Sequence, residues 1–288
     1  MKSSPLFTRV LLAMLMLYAP FCTAGDRQEL YFGSVAMDIP AVMYRRLQPL
    51  IKYLSAGIGR PVTLKLASNM DKAIQDITHG DVDLAYLTPV AYLRAHAKAD
   101  ARLLVKTVTD GKGSFRLMIV VKENSPIKSI ADLRGKTFAF GDRAALLQRA
   151  TVVNAGIRLE EFKDYKFIGH YDNVVRAVMH GDFDAGILKD TMAYKWKGKG
   201  IRILYASPAL PPYNISVGKN TSPEMYEKLK ALFLNLNDED PQHRAIIHSV
   251  DVNYSGFSAT SDGEYDVVRE LIKPFDSPQQ NITSGGLE

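Results

Sequence analysis

Two similar clusters of histidine and aspartate are the first feature of this sequence that could perform chemistry. Residues 79–85 read His-Gly-Asp-Val-Asp-Leu-Ala, and residues 180–186 read His-Gly-Asp-Phe-Asp-Ala-Gly, 101 positions later. Imidazole and carboxylate groups are metal ligands, but the spacing matches neither a calcium loop nor a His-Glu-x-x-His site. Aspartates that follow a helix-ending glycine are typical of a turn into a strand. The sequence therefore predicts no metal site.

The common catalytic motifs are also missing from the sequence. It contains no Gly-x-Ser-x-Gly motif, no phosphate-binding loop and no dinucleotide-binding glycine pattern. We therefore predict a protein without a cofactor and without catalysis. An exported enzyme is kept as an alternative, and His170 is its candidate general base.

The two clusters lie within a longer repeat, which indicates how the chain is organised. In each copy, apolar residues at helical spacing precede the glycine, and a short apolar segment follows it at 82–87 or 183–188. Gly80 and Gly181 are helix stops, and a further apolar segment precedes each helix. Each copy therefore predicts a strand, a helix and a second strand.

Strands that alternate with helices, in two copies, predict an α/β protein with two similar lobes. Each lobe is expected to be a mixed sheet flanked by helices. We assign residues 25–116 and 212–288 to lobe 1 and residues 117–211 to lobe 2. Ligands of such sheets bind beyond the carboxyl ends of the strands, so we expect the binding site in a cleft between the lobes.

The N-terminus has the pattern of a secretory signal. Lys2 and Arg9 precede an apolar run at 10–18, and Cys22-Thr23-Ala24 supplies small residues before a polar start. We predict a signal peptide over residues 1–24 and a periplasmic mature protein. An uncleaved anchor and a lipid on Cys22 are the alternatives. Cys22 is the only cysteine, so the mature chain would have no disulfide or thiolate site.

Composition and charge exclude several classes of partner. The chain is 47% hydrophobic and 23% charged, which is ordinary for a soluble globular protein. Its formal net charge is +5, and loss of Lys2 and Arg9 with the signal would lower it by two. This excess is too small to indicate nucleic acid or a membrane surface. We expect a monomer that binds a small molecule.

Further motifs follow in a recognisable order. They are Gly80 to Tyr86 with Pro89, Ser125 to Lys136, Phe138 to Asp142, Ser207-Pro208 and Tyr265 to Ile272. In this order the chain resembles the substrate-binding proteins of phosphate, phosphite and phosphonate ABC transporters, a branch of the type II periplasmic binding proteins. The resemblance covers most of the mature chain. It implies a ligand held between two lobes and an ABC permease as partner, with a membrane sensor kinase as the alternative partner.

The sequence departs from this family where the ligand is expected. The family's Phe-Gly-Asp strand is usually followed by Pro-x-Ser-Thr-Ser-Gly, whereas residues 143–148 read Arg-Ala-Ala-Leu-Leu-Gln. The resemblance also places the family's histidine at Tyr171, an acidic residue at Tyr213 and a tyrosine at Met70. The ligand is therefore either an anion held in a different way or a less charged solute.

Arg143 is the candidate that could compensate for the missing hydroxyls. It lies where a strand leads into a helix, and a guanidinium there could bind a carboxylate or phosphate through two hydrogen bonds. The alternative is a solvated arginine paired with Asp142.

Aromatic and hydroxyl side chains complete the predicted site. Tyr86 and Thr88 lie at and just after the end of the strand in the first repeat copy. Tyr86 is either a ligand contact or a core residue, and Thr88 either meets the ligand or caps the helix that begins near Pro89. In the second copy Tyr171 is favoured over His170 as a ligand contact, and Asp172 is predicted to cap the helix. The remaining candidates are Ser34 and Met37, after the first strand, and Tyr213, at the return to lobe 1.

Overall fold

The computed structural model describes residues 29–35 and 40–275. The predicted signal peptide therefore lies outside the described residues. Within those ranges, no helix combines the length and the apolar character needed to cross a membrane.

The described residues form two β-sheets. Their strands are β1 (Leu30–Val35), β2 (Val62–Ala67), β3 (Leu84–Leu87), β4 (Arg102–Thr109), β5 (Leu117–Lys122), β6 (Thr137–Phe140), β7 (Asp164–Phe167), β8 (Ala185–Lys189), β9 (Ile201–Ala206), β10 (Asn214–Val217) and β11 (Tyr254–Ser258).

Helices flank both sheets. They are α1 (Pro40–Ile58), α2 (Met70–His79), α3 (Pro89–Ala99), α4 (Leu146–Asn154), α5 (Tyr171–His180), α6 (Asp190–Trp196), α7 (Pro223–Leu234), α8 (Pro241–Val250) and α9 (Asp266–Ile272). Short 3-10 turns lie at Ala131–Leu133, Leu159–Glu161, Asp262–Tyr265 and Lys273–Phe275.

The two sheets share one strand plan. The lobe 1 sheet has the order β11-β4-β10-β3-β1-β2, and the lobe 2 sheet has the order β7-β6-β8-β5-β9. In lobe 1 the strands β2, β1 and β3 are parallel, and β10 and β4 continue the sheet antiparallel. In lobe 2 the strands β7, β6 and β8 are parallel, and β5 and β9 follow antiparallel. The predicted α/β fold with two mixed sheets is confirmed.

The repeat accounts for this likeness residue by residue. Helices α2 and α5 have the same length and begin 101 positions apart, and each ends at a glycine in the left-handed conformation. Gly80 has φ 77° and Gly181 has φ 86°, a region in which a side chain would be strained. The predicted cap of α5 is wrong, because His170 is the N-cap residue and Asp172 lies in the first helical turn.

In each repeat, an aspartate at the equivalent position links two strands through hydrogen bonds. Asp83 accepts a hydrogen bond from the Tyr31 amide of β1 at 2.8 Å. Asp184, 101 positions later, accepts bonds from the Thr137 amide and hydroxyl of β6, both at 2.9 Å. These carboxylates therefore hold the amino end of one strand to the turn before another, on the side of the sheet away from the cleft.

The chain passes between the sheets twice, at 110–116 and at 207–213. These two connections are paired, because Phe115 and Leu210 exchange backbone hydrogen bonds of 2.9 and 2.8 Å. The predicted lobe boundaries fall within or beside these connections. Helix α9 packs against α3 and against α4, so the last described helix contacts both lobes.

Candidate functional site

A cavity of about 350 Å³ lies where the carboxyl ends of the parallel strands of both lobes face each other. Lobe 1 contributes Met70, Thr88 and Tyr254 to its wall, and lobe 2 contributes Gln148, Tyr171 and Lys189. The connections between the lobes add Phe115, Pro212 and Tyr213. The cavity therefore lies where α/β sheets bind their ligands.

The repeat supplies equivalent positions to opposite walls of this cavity. Met70 is the first residue of α2, and Tyr171 is the first residue of α5, 101 positions later. Thr88 follows β3 and is the N-cap of α3, whereas Lys189 ends β8 and is the N-cap of α6. All four residues line the cavity. The Met70 thioether of lobe 1 is thus the counterpart of the Tyr171 phenol of lobe 2. The Thr88 hydroxyl of lobe 1 is the counterpart of the Lys189 ammonium of lobe 2.

Thr88 has a structural role as well as a place in the cavity wall. Its Oγ1 accepts a hydrogen bond of 3.1 Å from the Ala91 amide, which caps α3. Pro89 occupies the first position of that helix, where a missing amide hydrogen costs nothing. The threonine is therefore held in one place at the mouth of the cavity.

Lys189 is a half-buried cation of the cavity wall that sequence analysis missed. Its ammonium lies 5.4 Å from the centre of the Phe115 ring, and its side chain is half-buried. Within residues 29–35 and 40–275, no carboxylate forms an ion pair with it. The repeat could have identified it, because Thr88 was already a candidate and Lys189 is its equivalent.

Tyr171 and Gln148 meet at the lobe 2 wall. The Gln148 amide group donates a hydrogen bond of 3.4 Å to the Tyr171 hydroxyl, and its carbonyl accepts one of 2.8 Å from the Gly141 amide. Burial raises the pKa of Tyr171 well above its ordinary value, so its hydroxyl stays protonated at neutral pH. Because that oxygen already accepts a bond, its proton can be donated to a ligand. No sequence motif indicated Gln148.

Three neighbouring tyrosines form the lobe 1 side. The Tyr86 and Tyr213 rings are stacked, with centres 5.0 Å apart, and the Tyr86 hydroxyl is hydrogen-bonded to that of Tyr254. Tyr213 and Tyr254 line the cavity, and Tyr86 lies buried behind them. Burial raises the pKa of Tyr213 to about 12 and that of Tyr86 well above its ordinary value. The structure thus places Tyr86 in the core that supports the wall.

Arg143 lies outside the cavity wall. Its side chain is exposed, and its guanidinium lies 5.2 Å from the centre of the Phe167 ring. Arg149 approaches the same ring at 5.7 Å. Burial lowers the pKa of Arg149, and the Arg143 charge lowers it further. The two arginines therefore pack on the same aromatic ring, that of Phe167 in β7.

Two of the remaining candidates, His170 and Ser34, do not line the cavity. His170 is exposed, and its side chain makes no capping hydrogen bond. Ser34 is buried within β1, where its hydroxyl donates to the Val35 carbonyl at 3.1 Å. Met37 lies outside the described residues.

Apolar side chains cover most of the rest of the wall. They include Met70, Ile74, Val90, Leu117, Leu146 and Leu147. The charged residues Asp71 and Arg94 also line the cavity. Binding sites for organic molecules combine such a wall with a few polar groups that fix orientation. The arrangement suits a small molecule with one charged end and an apolar part.

Two α/β lobes have the same strand plan, and two paired connections join them around one cavity. This arrangement defines a two-lobed solute-binding protein. The family model described as "ABC transporter, phosphonate, periplasmic substrate-binding protein" matches residues 32–265. The chain belongs to this family. It is a periplasmic solute-binding protein of an ABC importer, as the sequence motifs predicted.

Individual relatives agree with this assignment. The phosphonates-binding periplasmic protein of Escherichia coli (strain K12) is 24% identical over 271 residues, which cover 88% of this chain and 79% of that protein. The phosphate-import protein PhnD of Mycolicibacterium smegmatis is 24% identical over 299 residues, covering 90% and 92%. The structure of Prochlorococcus marinus PhnD1 in complex with methylphosphonate has a TM-score of 0.69 and 19% identity, covering 86% of this chain and 98% of that one.

Proposed function

We propose that the cavity binds a small organic anion whose charged group meets the Lys189 ammonium. The observation that carries this proposal is a half-buried lysine at the cavity wall with no acidic partner within the described part of the chain. Interactions between charges are stronger at a partly buried site than in bulk water. A negatively charged ligand would therefore supply the missing counter-charge.

Hydroxyl groups around Lys189 support the same ligand class. Tyr171 keeps its proton for donation, and the Thr88 hydroxyl is fixed by its bond to the Ala91 amide. Tyr213 and Tyr254 add phenol groups from lobe 1. The phenols can donate to an anionic oxygen, and the Thr88 hydroxyl, which donates to Met70 Sδ at 3.9 Å, can exchange that weak acceptor for one. The relatives named for phosphonate and phosphate make phosphorus oxyanions the first compounds to test.

Uptake would follow from closure of the lobes. The ligand contacts come from both lobes and from the connections between them, so a bound anion favours the arrangement that brings Thr88 and Lys189 together. The closed form would then deliver its ligand to the permease. We propose that the mature protein acts as a periplasmic monomer after signal cleavage, with no turnover of the ligand. In support, His170 lies exposed outside the cavity wall.

Thermal unfolding against a solute panel tests the proposal. The panel contains phosphate, phosphite, methylphosphonate, longer alkylphosphonates, sulfonates, carboxylates and amino acids. A ligand at about a hundred times its Kd stabilises a protein by about 2.7 kcal/mol, which raises Tm by a few degrees. We expect this shift with at least one organic anion and its loss in Lys189→Met. Lys195→Met, which removes an exposed lysine from α6, is the matched control and should keep it. A shift only with uncharged or cationic solutes would contradict the proposal.

A further inference from the structure

Residues 141–148, which comprise the connection between β6 and α4 and the first residues of α4, lie at the carboxyl end of a central parallel strand. Backbone amides at such a position, and at the start of the following helix, are ordinarily available to an anionic ligand. Ala144 to Gln148 contribute to the cavity wall. Whether these amides already have hydrogen-bond partners therefore determines which donors the lobe 2 wall offers to a ligand.

The first amides of this connection are occupied by the protein itself. The Gly141 amide donates to the Gln148 side-chain carbonyl at 2.8 Å. The Ala144 amide donates to the Asp142 carboxylate at 2.8 Å, and the Ala145 amide donates to the Asp142 backbone carbonyl at 3.1 Å. These three donors are therefore not free for a ligand.

The next amides are also used internally. Leu146 donates to the Ala144 carbonyl at 2.9 Å, and Gln148 donates to the Ala145 carbonyl at 3.1 Å. The helix α4 that follows has no side-chain cap. Five of the eight amides of residues 141–148 are thus bonded within this segment, which leaves those of Asp142, Arg143 and Leu147.

The Gln148 side chain fills the space at the carboxyl end of β6. The residue is only 3% exposed, and its side chain joins the end of β6 to the first residue of α5 through Gly141 and Tyr171. A Cβ atom at Gly141 would lie 3.0 Å from the Gln148 amide nitrogen, so the space beside the strand end is filled. The glutamine carbonyl takes the position where a ligand oxygen would accept the Gly141 hydrogen bond.

A compact oxyanion needs many donors to replace its hydration, because an incompletely satisfied charge is costly to bury. With the Gly141 amide occupied, the wall offers the cations Lys189 and Arg94 and a few hydroxyls beside an apolar surface, and it also carries the Asp71 carboxylate. We infer that Gln148 is a specificity-determining residue that disfavours inorganic phosphate and selects an organic anion with an apolar substituent. The inference deepens the proposed function and rests on ligand binding in the same cavity.

Substitution of Gln148 tests this inference directly. Gln148→Ser removes the carbonyl, frees the Gly141 amide and adds a small hydroxyl. We expect the affinity for inorganic phosphate to rise by about tenfold or more relative to the wild type, measured by isothermal titration calorimetry. Gln148→Met is the matched control, since it also removes the carbonyl but fills the same space, so that phosphate cannot reach the Gly141 amide. It should bind phosphate no better than the wild type does.

Two further measurements separate the inference from the proposed function and from misfolding. Circular dichroism and thermal unfolding establish that each variant is folded before titration, and Gln148→Glu supplies a second variant. It keeps an acceptor for Gly141 but adds a negative charge, and it should weaken binding of every anion by at least about tenfold. Wild-type protein that prefers phosphate over every organic anion, or folded Gln148→Ser with unchanged phosphate affinity, would overturn the inference. Lys189→Met reports on the proposed function alone, whatever the outcome at Gln148.

Discussion

Thr88 and Lys189 occupy the same place in the two copies of the repeat and face one cavity from opposite lobes. Each lies at the carboxyl end of the last strand of its repeat and occupies the N-cap position of the helix that comes next. The cap of α3 depends on the Thr88 hydroxyl, whereas α6 has no side-chain cap. The residue at this position thus caps a helix in lobe 1 and carries a cation in lobe 2.

Thr88→Ala is expected to weaken both the fold and ligand binding. Loss of the cap on α3 should cost about 1 kcal/mol of unfolding free energy, measured by urea denaturation. Thr88→Ser keeps the hydroxyl oxygen and should restore most of that stability. Ser222→Ala, which removes the cap of α7 at Met225, is the control. It should cost a similar amount and leave ligand affinity unchanged. Equal ligand affinity in Thr88→Ala and the wild type would show that Thr88 is only a cap.

Alkaline pH should destabilise the protein through its buried tyrosines. Tyr213 has a pKa of about 12 when folded, against an ordinary value of 10.0. The unfolded chain therefore releases this proton first, so the stability from Tyr213 is complete below pH 10 and is lost as pH rises toward 12. Urea unfolding across this window should show the decline, and Tyr213→Phe should make it shallower. A decline of the same slope in Tyr213→Phe would assign the effect to other groups.

The repeated aspartates should act on stability and not on metal binding. Asp184→Ala leaves the Thr137 amide without its carboxylate partner, and we expect a loss of about 1 to 3 kcal/mol. Asp83→Ala should do the same in lobe 1, through the Tyr31 amide. Thermal unfolding with and without a strong chelator provides the contrast. A Tm that falls on chelation in the wild type but not in Asp184→Ala would restore the metal hypothesis.

Sequence reasoning predicted the two-lobed scaffold because the sequence contains the same pattern of a strand, a helix and a second strand twice. The recurrence of a helix, a glycine stop and a buried strand was enough to predict two similar α/β lobes. The antiparallel strands were harder, since β10 enters the lobe 1 sheet only after the chain has built all of lobe 2. Pairing over that separation depends on tertiary packing and leaves no local pattern.

The candidate site was only partly predictable. Thr88, Tyr171 and Tyr213 line the cavity, and each follows a strand or lies in a connection between lobes. Arg143 has the same kind of position, but its side chain packs on Phe167, which sequence alone does not reveal. Gln148 is a helix residue whose role depends on the neighbouring Gly141 amide. Its contribution becomes visible only when the strand end and the helix are seen together.

The central claim is that Lys189, and not Arg143, holds the charged group of the ligand. The direct measurement is calorimetric titration of methylphosphonate, or of the tightest organic anion in the panel, into the wild type, Lys189→Met and Arg143→Met. We predict at least about tenfold weaker binding in Lys189→Met, since hydrogen bonds to charged groups contribute about 1.5 to 3 kcal/mol. Arg143→Met should bind as the wild type does. Unchanged affinity in folded Lys189→Met, together with loss of binding in Arg143→Met, would contradict the account.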